Sequence, residues 1–230
     1  MPAMADEEFL ATVPIFSNLN PEQLRPLTGK LHRRRYQRGE VIFHQDDPAD
    51  RLHIIVHGRV RISITSEDGR EKDIALLQPG ECFGEMALLD GSRRSATASA
   101  IEPLETVTLF REDFLEFLDQ HSEVAAETTS LLTRRLRDVN QMLGDLAFLD
   151  VPTRVAKQLL ALAETSAGDA EWQGPVEVSV GQEELARLVG ASRETVSRVL
   201  NSYCRQGILL TSHRRITIKD RQALERMAFV

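Results

Sequence analysis

Two stretches of this 230-residue chain carry side chains whose types and spacing amount to chemistry. The first, FGEMALLDGSRRSATA from Phe83 to Ala98, combines Gly84 and Gly91 with Glu85, Arg94 and Ser95. A buried arginine can neutralise a singly charged cyclic phosphodiester through paired hydrogen bonds, while a serine hydroxyl and neighbouring backbone N–H groups complete an anion-binding concavity. Arg94 and Ser95 therefore suit a phosphate held together with its sugar. A carboxylate repels that phosphate, so Glu85 belongs there only if it turns to the sugar and accepts from a ribose hydroxyl. Taken in isolation it is equally an ordinary turn glutamate.

The second stretch, QEELARLVGASRETVSRVLNSYCRQ over residues 182 to 206, sets Leu185, Ala186 and Val189 on one short helix and Val196, Val199 and Leu200 on the apolar face of another. Gly190 and Ala191 stand between them. In this helix-turn-helix pattern the small Ala186 permits close helix approach, Gly190 supplies the turn and Ser192 caps the second helix. Arg193, Glu194 and Arg198 leave the N-terminal half of that helix, the end that enters a DNA major groove. Arginine can fork onto guanine O6 and N7, and glutamate can accept from cytosine N4. Glu194 and Arg198 are also spaced as an ordinary i,i+4 helix pair. Beyond them, Ile208 to Leu210 and Ile216 to Ile218 flank Ser212-His213-Arg214-Arg215, a two-stranded wing whose Arg214 and Arg215 touch phosphates or are merely solvated.

These stretches need elements to hold them. The length fits two modest domains better than one core near its upper size. With 42% hydrophobic and 27% charged residues, a chain-wide disordered, collagenous or disulfide-stapled reading is excluded. From about Val41 to Phe110 short apolar runs are punctuated by glycine. Val60, Ile62 and Ile64 alternate with polar residues as a half-buried strand does, Glu67-Asp68-Gly69 turns, and Ile74 to Leu77 returns. Further strand-like runs at Leu52 to Val56, Ala96 to Ala100 and Thr106 to Phe110 complete a sandwich or barrel, preceded by a short helix around Pro21 to Leu31.

The period then changes. Ala125, Thr129, Leu132, Leu136, Val139, Leu143 and Leu146 are separated alternately by four and three residues, an a/d heptad seam on one long helix. No second helix in the chain matches it, so a parallel homodimer is the economical reading; an amphipathic helix lying on its own β domain gives the same spacing. Asp150-Val151-Pro152 reads as a break and restart, with Asp150 capping a following helix. That helix covers 153 to 164, and a polar loop spans Ser166 to Pro175. The expected domains are 1–120 (β domain with N-terminal helices), 121–149 (dimerisation helix) and 150–230 (winged helix-turn-helix).

A net charge of −7 alone argues against nucleic acid as a partner, but the average hides a split. Residues 1 to 150 hold 17 Lys and Arg against 26 Asp and Glu, whereas Gly181 to Val230 hold 9 against 5. An acidic front and a basic end suit two tasks on one chain.

With the cassette GEMALLDGSRRSATA, the stretch LAFLDVPTRVAKQLL from Leu146 to Leu160 and SRETVSRVL from Ser192 to Leu200, the sequence resembles the cyclic-AMP receptor protein branch of the Crp/Fnr family of bacterial transcription regulators, from about Leu19 to Ile218. The resemblance implies an α+β chain: an N-terminal β jelly roll (double-stranded β-helix), a long dimerisation helix and a C-terminal winged helix-turn-helix. It implies a homodimer on double-stranded DNA at a palindromic operator with TGTGA-like half-sites, and RNA polymerase as a further partner. It places Gly84 and Glu85 at the ribose and Arg94 and Ser95 at the cyclic phosphate, with Met86, Ala87 and Ala96 lining the cassette. On DNA it implies Ser192, Arg193, Glu194, Thr195, Ser197 and Arg198, with Arg214 and Arg215 on the wing. Where family members place Thr-Ser on the dimer helix against adenine, this chain has Val139-Asn140. Valine cannot hydrogen-bond an amino group, whereas Asn140 carries a donor and an acceptor. Cyclic AMP is the first expectation as effector; cyclic GMP, another nucleotide or no ligand stay open.

Other classes fit less well. Cys82 and Cys204 are the only cysteines and lie 122 positions apart, which removes zinc fingers, a disulfide framework and the cysteine cluster of oxygen-sensing relatives, and suits a reducing, cytoplasmic setting. Haem-sensing relatives replace the cassette, which is present here. His53 and His57 are expected on one face of a strand, but without a third ligand they make no metal site. No nucleophile elbow, P-loop or coherent catalytic set marks an enzyme. No apolar run approaches the roughly 18 residues of a membrane span, and Asp6, Glu7 and Glu8 stand where a signal peptide carries basic charge. A cyclic-nucleotide receptor subunit acting on a protein would keep the cassette but has no need of Arg193, Glu194 and Arg198.

Overall fold

The computed structural model describes residues 6–69, 71–167, 172, 174–212 and 214–228. The chain divides into two compact units, Met1–Arg137 and Asp138–Val230. In the first, β1 (His32–Tyr36), β8 (Leu104–Phe110), β3 (Arg51–His57) and β6 (Cys82–Phe83) form one sheet in that order, and β2 (Val41–Phe43), β7 (Thr97–Ala100), β4 (Val60–Thr65) and β5 (Glu71–Leu77) form the other. The pairings are antiparallel. This is the jelly roll the resemblance implied.

Strand alternation explains the layers. Ile55, Val60, Phe83, Ala98, Ala100 and Leu104 meet inside the roll. The opposite face of the first sheet, with Leu52, Ile54, Val107 and Leu109, packs beneath α1 (Asp6–Thr12), α2 (Pro21–Thr28) and α4 (Arg111–Gln120) through Leu10, Leu24, Leu27 and Phe114. β3 is thus buried on both faces, which is why it reads as a nearly continuous apolar run. In the β4–β5 hairpin, Gly69 adopts a φ of +79° and donates to Ser66 O at 2.8 Å, closing the expected turn.

The β region begins earlier than Val41. β1 reads HRRRY, without the apolar alternation that marks a strand, because it is an edge whose arginines face solvent, Arg33 and Arg35 pairing with Glu105 of β8. His53 and His57 do not share surroundings. A register shift between Ile55 and His57 separates them, so His53 is buried and His57 exposed.

Helix α5 (Ser122–Phe148) serves two surfaces. Val124 and Thr128 are buried in the first unit, and Leu131 packs against the same core. The seam residues beyond them stand open: Leu136 is 60% exposed and Leu143 64%, with Val139 and Leu146 also exposed. The part of the helix near its start therefore lies on its own domain, and the remainder offers leucines whose full burial is each worth about 1.5–3 kcal/mol.

The second unit gathers α6 (Val151–Ala167), β9 (Val176–Val178), α7 (Gln182–Val189), α8 (Arg193–Arg205), β10 (Leu209–Ser212), β11 (Arg215–Ile218) and α9 (Arg221–Ala228) around one core. Asp150 accepts from Thr153 N at 2.9 Å, and that cap holds its carboxyl below the usual range. α6 continues to Ala167, past the expected end at 164; residues 168–171 and 173 of the expected loop, and His213 of the wing, lie outside the described residues. Lys157 Nζ meets Asp145 at 2.6 Å, fixing α6 to the last turns of α5.

Candidate ligand and nucleic-acid sites

The cassette is built on two left-handed glycines. Gly84 (φ +83°) ends β6 and opens α3 (Glu85–Asp90), and Gly91 (φ +73°) closes it, donating to Ala87 O at 3.1 Å. A β-carbon at position 84 would collide with Arg94 Nη1, so glycine is required there for space as well as for conformation. Arg94 is 3% exposed. Its Nη1 donates to Gly84 O and its Nη2 to Arg51 O, both at 2.9 Å, and the guanidinium lies 4.1 Å over the Phe43 ring. Its Nε has no hydrogen-bond partner among the described residues. Burial lowers its pKa. A buried cation bonded only to carbonyl oxygens is a site that gains from an anion.

Glu85 is 1% exposed and is neutralised by a residue that sequence reasoning did not single out. Arg135 of α5 donates to Glu85 Oε1 and, through its other amino group, to Cys82 O. The repulsion between Glu85 and a phosphate is thereby offset, and Oε2, without a hydrogen-bond partner among the described residues, is an acceptor that a sugar hydroxyl could fill. A buried carboxylate demands a cation, and Arg135 stands one turn beyond Leu131, which already packs on the first unit; together these were the available signal. Ala87 and Ala96 are buried, while Met86 and Ser95 are exposed neighbours, with Ser95 Oγ 3.8 Å from Met86 Sδ. Val139 and Asn140 are exposed on the part of α5 that belongs to the second unit.

Behind the cassette, His53 stacks on Phe83 at 4.9 Å, and burial, reinforced by the charges of Arg94 and Arg51, lowers its pKa to about 3. The unfolded chain, with an ordinary histidine near 6.5, binds more protons between those values, so stability is lost as pH falls through that window. We expect about 2 kcal/mol of loss between pH 7 and pH 5 from this group, absent in His53→Phe; urea melts of both proteins at the two pH values measure it. Among the described residues no three His, Cys, Asp or Glu side chains gather as a metal site.

In the second unit, Gly190 (φ +65°) turns the chain between α7 and α8, and Ser192 caps α8, its Oγ accepting from Thr195 N at 3.2 Å. Ala186 is buried between the helices, and Val196, Val199, Leu200 and Tyr203 bury one face of α8. Tyr203 donates to Pro152 O at 3.0 Å and Arg154 to Val189 O at 2.9 Å, seating both helices on α6. The other face of α8 presents Arg193, Glu194 and Arg198 to solvent, with Thr195 and Ser197 partly covered. Arg198 donates to Thr195 Oγ1 at 3.2 Å rather than to Glu194. The Glu194 carboxyl lies below its usual range because its own backbone N–H and the Ser192 hydroxyl hold its anion, the acceptor form that a base amino group needs. Arg214 sits in the β10–β11 turn and Arg215 opens β11.

Among the described residues no helix is long and apolar enough to cross a membrane. Residues 33–121 match the family model of the cyclic nucleotide-binding domain, and 153–227 match that of the Crp-like helix-turn-helix domain. The chain is 36% identical to a CRP-like cAMP-activated global transcriptional regulator of Mycobacterium tuberculosis, over 96% of this chain and 99% of that protein. It is 38% identical to the cyclic AMP receptor protein of Thermus thermophilus, over 94% and 97%. Among solved structures, the c-di-GMP responsive global regulator CLP of Xanthomonas campestris superposes with a TM-score of 0.78 at 29% identity, covering 87% of this chain and 100% of that one. The two matched domains and relatives covered over most of their length show that the chain belongs to the Crp family, as a cyclic-nucleotide-binding, DNA-binding regulator of transcription.

Proposed function

We propose that the chain works as a homodimer gated by cyclic AMP, with residues 1–120 as sensor, 121–149 as dimer helix and 150–230 as reader. The observation that carries the effector reading is Arg94, a buried guanidinium whose hydrogen bonds among the described residues go to carbonyl oxygens, beside a glutamate with one oxygen unpartnered among them. Arg94 and Ser95 take the cyclic phosphate, Gly84 and Glu85 the ribose, and Asn140 the base edge, with Val139 packing in the seam. Exposed leucines along α5 support the dimer. In a two-fold dimer, ligand favours the arrangement in which the recognition helices stand ~34 Å apart, the spacing of successive major grooves. The operator is palindromic with TGTGA-like half-sites, RNA polymerase is the partner, and the setting is cytoplasmic; regulation rather than catalysis is the output.

A gel shift on a palindromic TGTGA-type duplex, run with no ligand, cyclic AMP, cyclic GMP or cyclic di-GMP, tests the gating. Cyclic AMP is expected to produce the shift at the lowest protein concentration. An equal shift in every lane overturns ligand control, and preference for another nucleotide overturns the effector assignment. With Arg193 as a base reader, Arg193→Ala is expected to relax preference at one base pair by about 5- to 150-fold, whereas Arg215→Ala weakens all sequences alike. Competition binding against single-base operator variants separates the two.

A further inference from the structure

Both arginines of the wing are held by carboxylates from other elements. Arg214 meets Glu184 of α7 at 3.4 Å, across 30 residues, and Arg215 meets Glu177 of β9 at 3.2 Å. Neither pairing follows from helix spacing; each acid is brought to its arginine by the fold. The contrast lies on α8, where Arg193 and Arg198 have no carboxylate partner among the described residues. Glu183, Glu184, Arg193 and Arg214 line one open cleft of about 490 Å³, so acids stand on the same surface as a base-reading arginine.

Stability does not account for these pairs. Arg214 and Arg215 are both 67% exposed against 24% for Glu184 and 48% for Glu177, and ion pairs whose cation is that open to water add little to a fold and open readily. Their acids are unfavourable on a face that meets phosphates. Non-specific DNA binding draws essentially all of its affinity from Lys and Arg displacing counterions, whereas sequence is read by contacts to base edges. An arginine that arrives with its own carboxylate displaces fewer counterions, and the base readers are untouched. We propose that Glu177 and Glu184 are specificity-determining residues, which neutralise the wing arginines against random DNA and release them only where an operator fits closely enough to bring phosphate within hydrogen-bond reach. A lower background matters because a genome offers a vast excess of competing sites. The inference rests on the wing meeting DNA, as proposed above.

The test is fluorescence anisotropy with full-length protein and saturating cyclic AMP, over a salt series, on a random-sequence duplex and on the TGTGA-type palindrome. Glutamine at 184 keeps an acceptor for Gly181 N, now bonded at 3.5 Å, so the start of α7 is preserved. Glu177→Gln and Glu184→Gln are each expected to tighten random-duplex binding about five- to tenfold at 0.1 M salt and to steepen the log–log salt slope by about 0.9 per freed arginine. Operator affinity rises less, so the ratio of specific to random binding falls. The control Glu225→Gln, which removes the partner of Arg221 on α9, changes neither. In Glu184→Gln/Arg214→Ala the gain disappears. Wild-type slopes in both glutamine variants with operator binding intact overturn the proposal while leaving DNA recognition standing, as does a gain that survives loss of Arg214. Failure of the wild type to bind either duplex overturns the reading of the wing itself.

Discussion

Arg94→Ala is expected to lower cyclic-nucleotide affinity by about 30- to 4,000-fold, the range for truncating one partner of a buried, hydrogen-bonded charge pair, while the protein keeps its fold. The two halves of this expectation have separate causes. Arg94 is a desolvated cation without a bonded carboxylate, so its removal relieves a cost that offsets the packing lost against Phe43; stability should change by no more than about 1 kcal/mol. An anionic ligand, in contrast, loses the buried fork proposed to hold it. Arg94→Lys keeps the charge but cannot hold two carbonyls and a phosphate with one ammonium, so it restores only part of the affinity. Gly84→Ala reaches the same result from the other side, because its β-carbon displaces Arg94 Nη1 at a φ of +83° that alanine adopts poorly. Calorimetry with cyclic AMP, alongside circular dichroism melts, checks all three. Unchanged affinity in Arg94→Ala removes the phosphate assignment.

What the sequence disclosed, and what it hid, follows the range of the interactions involved. Caps and turns are local, so Asp150, Gly190 and Ser192 stand where a reader of the chain expects them, with the bonds expected. The core strands β3 and β4 carry their burial in their apolar pattern. Strand β1 does not: its arginines are paid for by Glu105, on a strand some seventy residues later, and nothing local marks HRRRY as extended. The short strand β9 and the helix α9 carry no comparable local mark, being brief elements whose apolar residues acquire meaning only against partners elsewhere. Around the cassette the residue types point to a buried arginine, which Arg94 is, and leave Glu85 open between a turn residue and a sugar-facing one. They did not supply Arg135, fifty positions from Glu85, because charge compensation is a tertiary requirement without a spacing of its own.

That compensation yields the second large effect. Arg135→Leu is expected to cost about 3 kcal/mol, since removing one member of a buried pair strands the other charge without solvent or partner. The Glu85 side chain is 2% exposed and that of Arg135 25%, so water reaches the cation more easily than the anion, and the truncation is worst when the cation is the one removed. Adding Glu85→Gln to the same chain should recover most of the loss, and a double-mutant cycle from urea melts measures the coupling directly. Wild-type stability in Arg135→Leu alone would contradict a charged, paired Glu85. The cycle also separates stability from response. In the double variant the amide oxygen can still accept from a sugar hydroxyl, so ligand affinity should fall by about tenfold or less. The link from the cassette to α5, however, is gone, because the carboxylate that grips the long helix through Oε1 is the one whose Oε2 is proposed above to meet the sugar. A buried ion pair is a poor way to stabilise a fold; if cyclic nucleotide loses its effect on operator binding in the double variant while still binding, the pair is what carries the proposed response from the sugar to the helix.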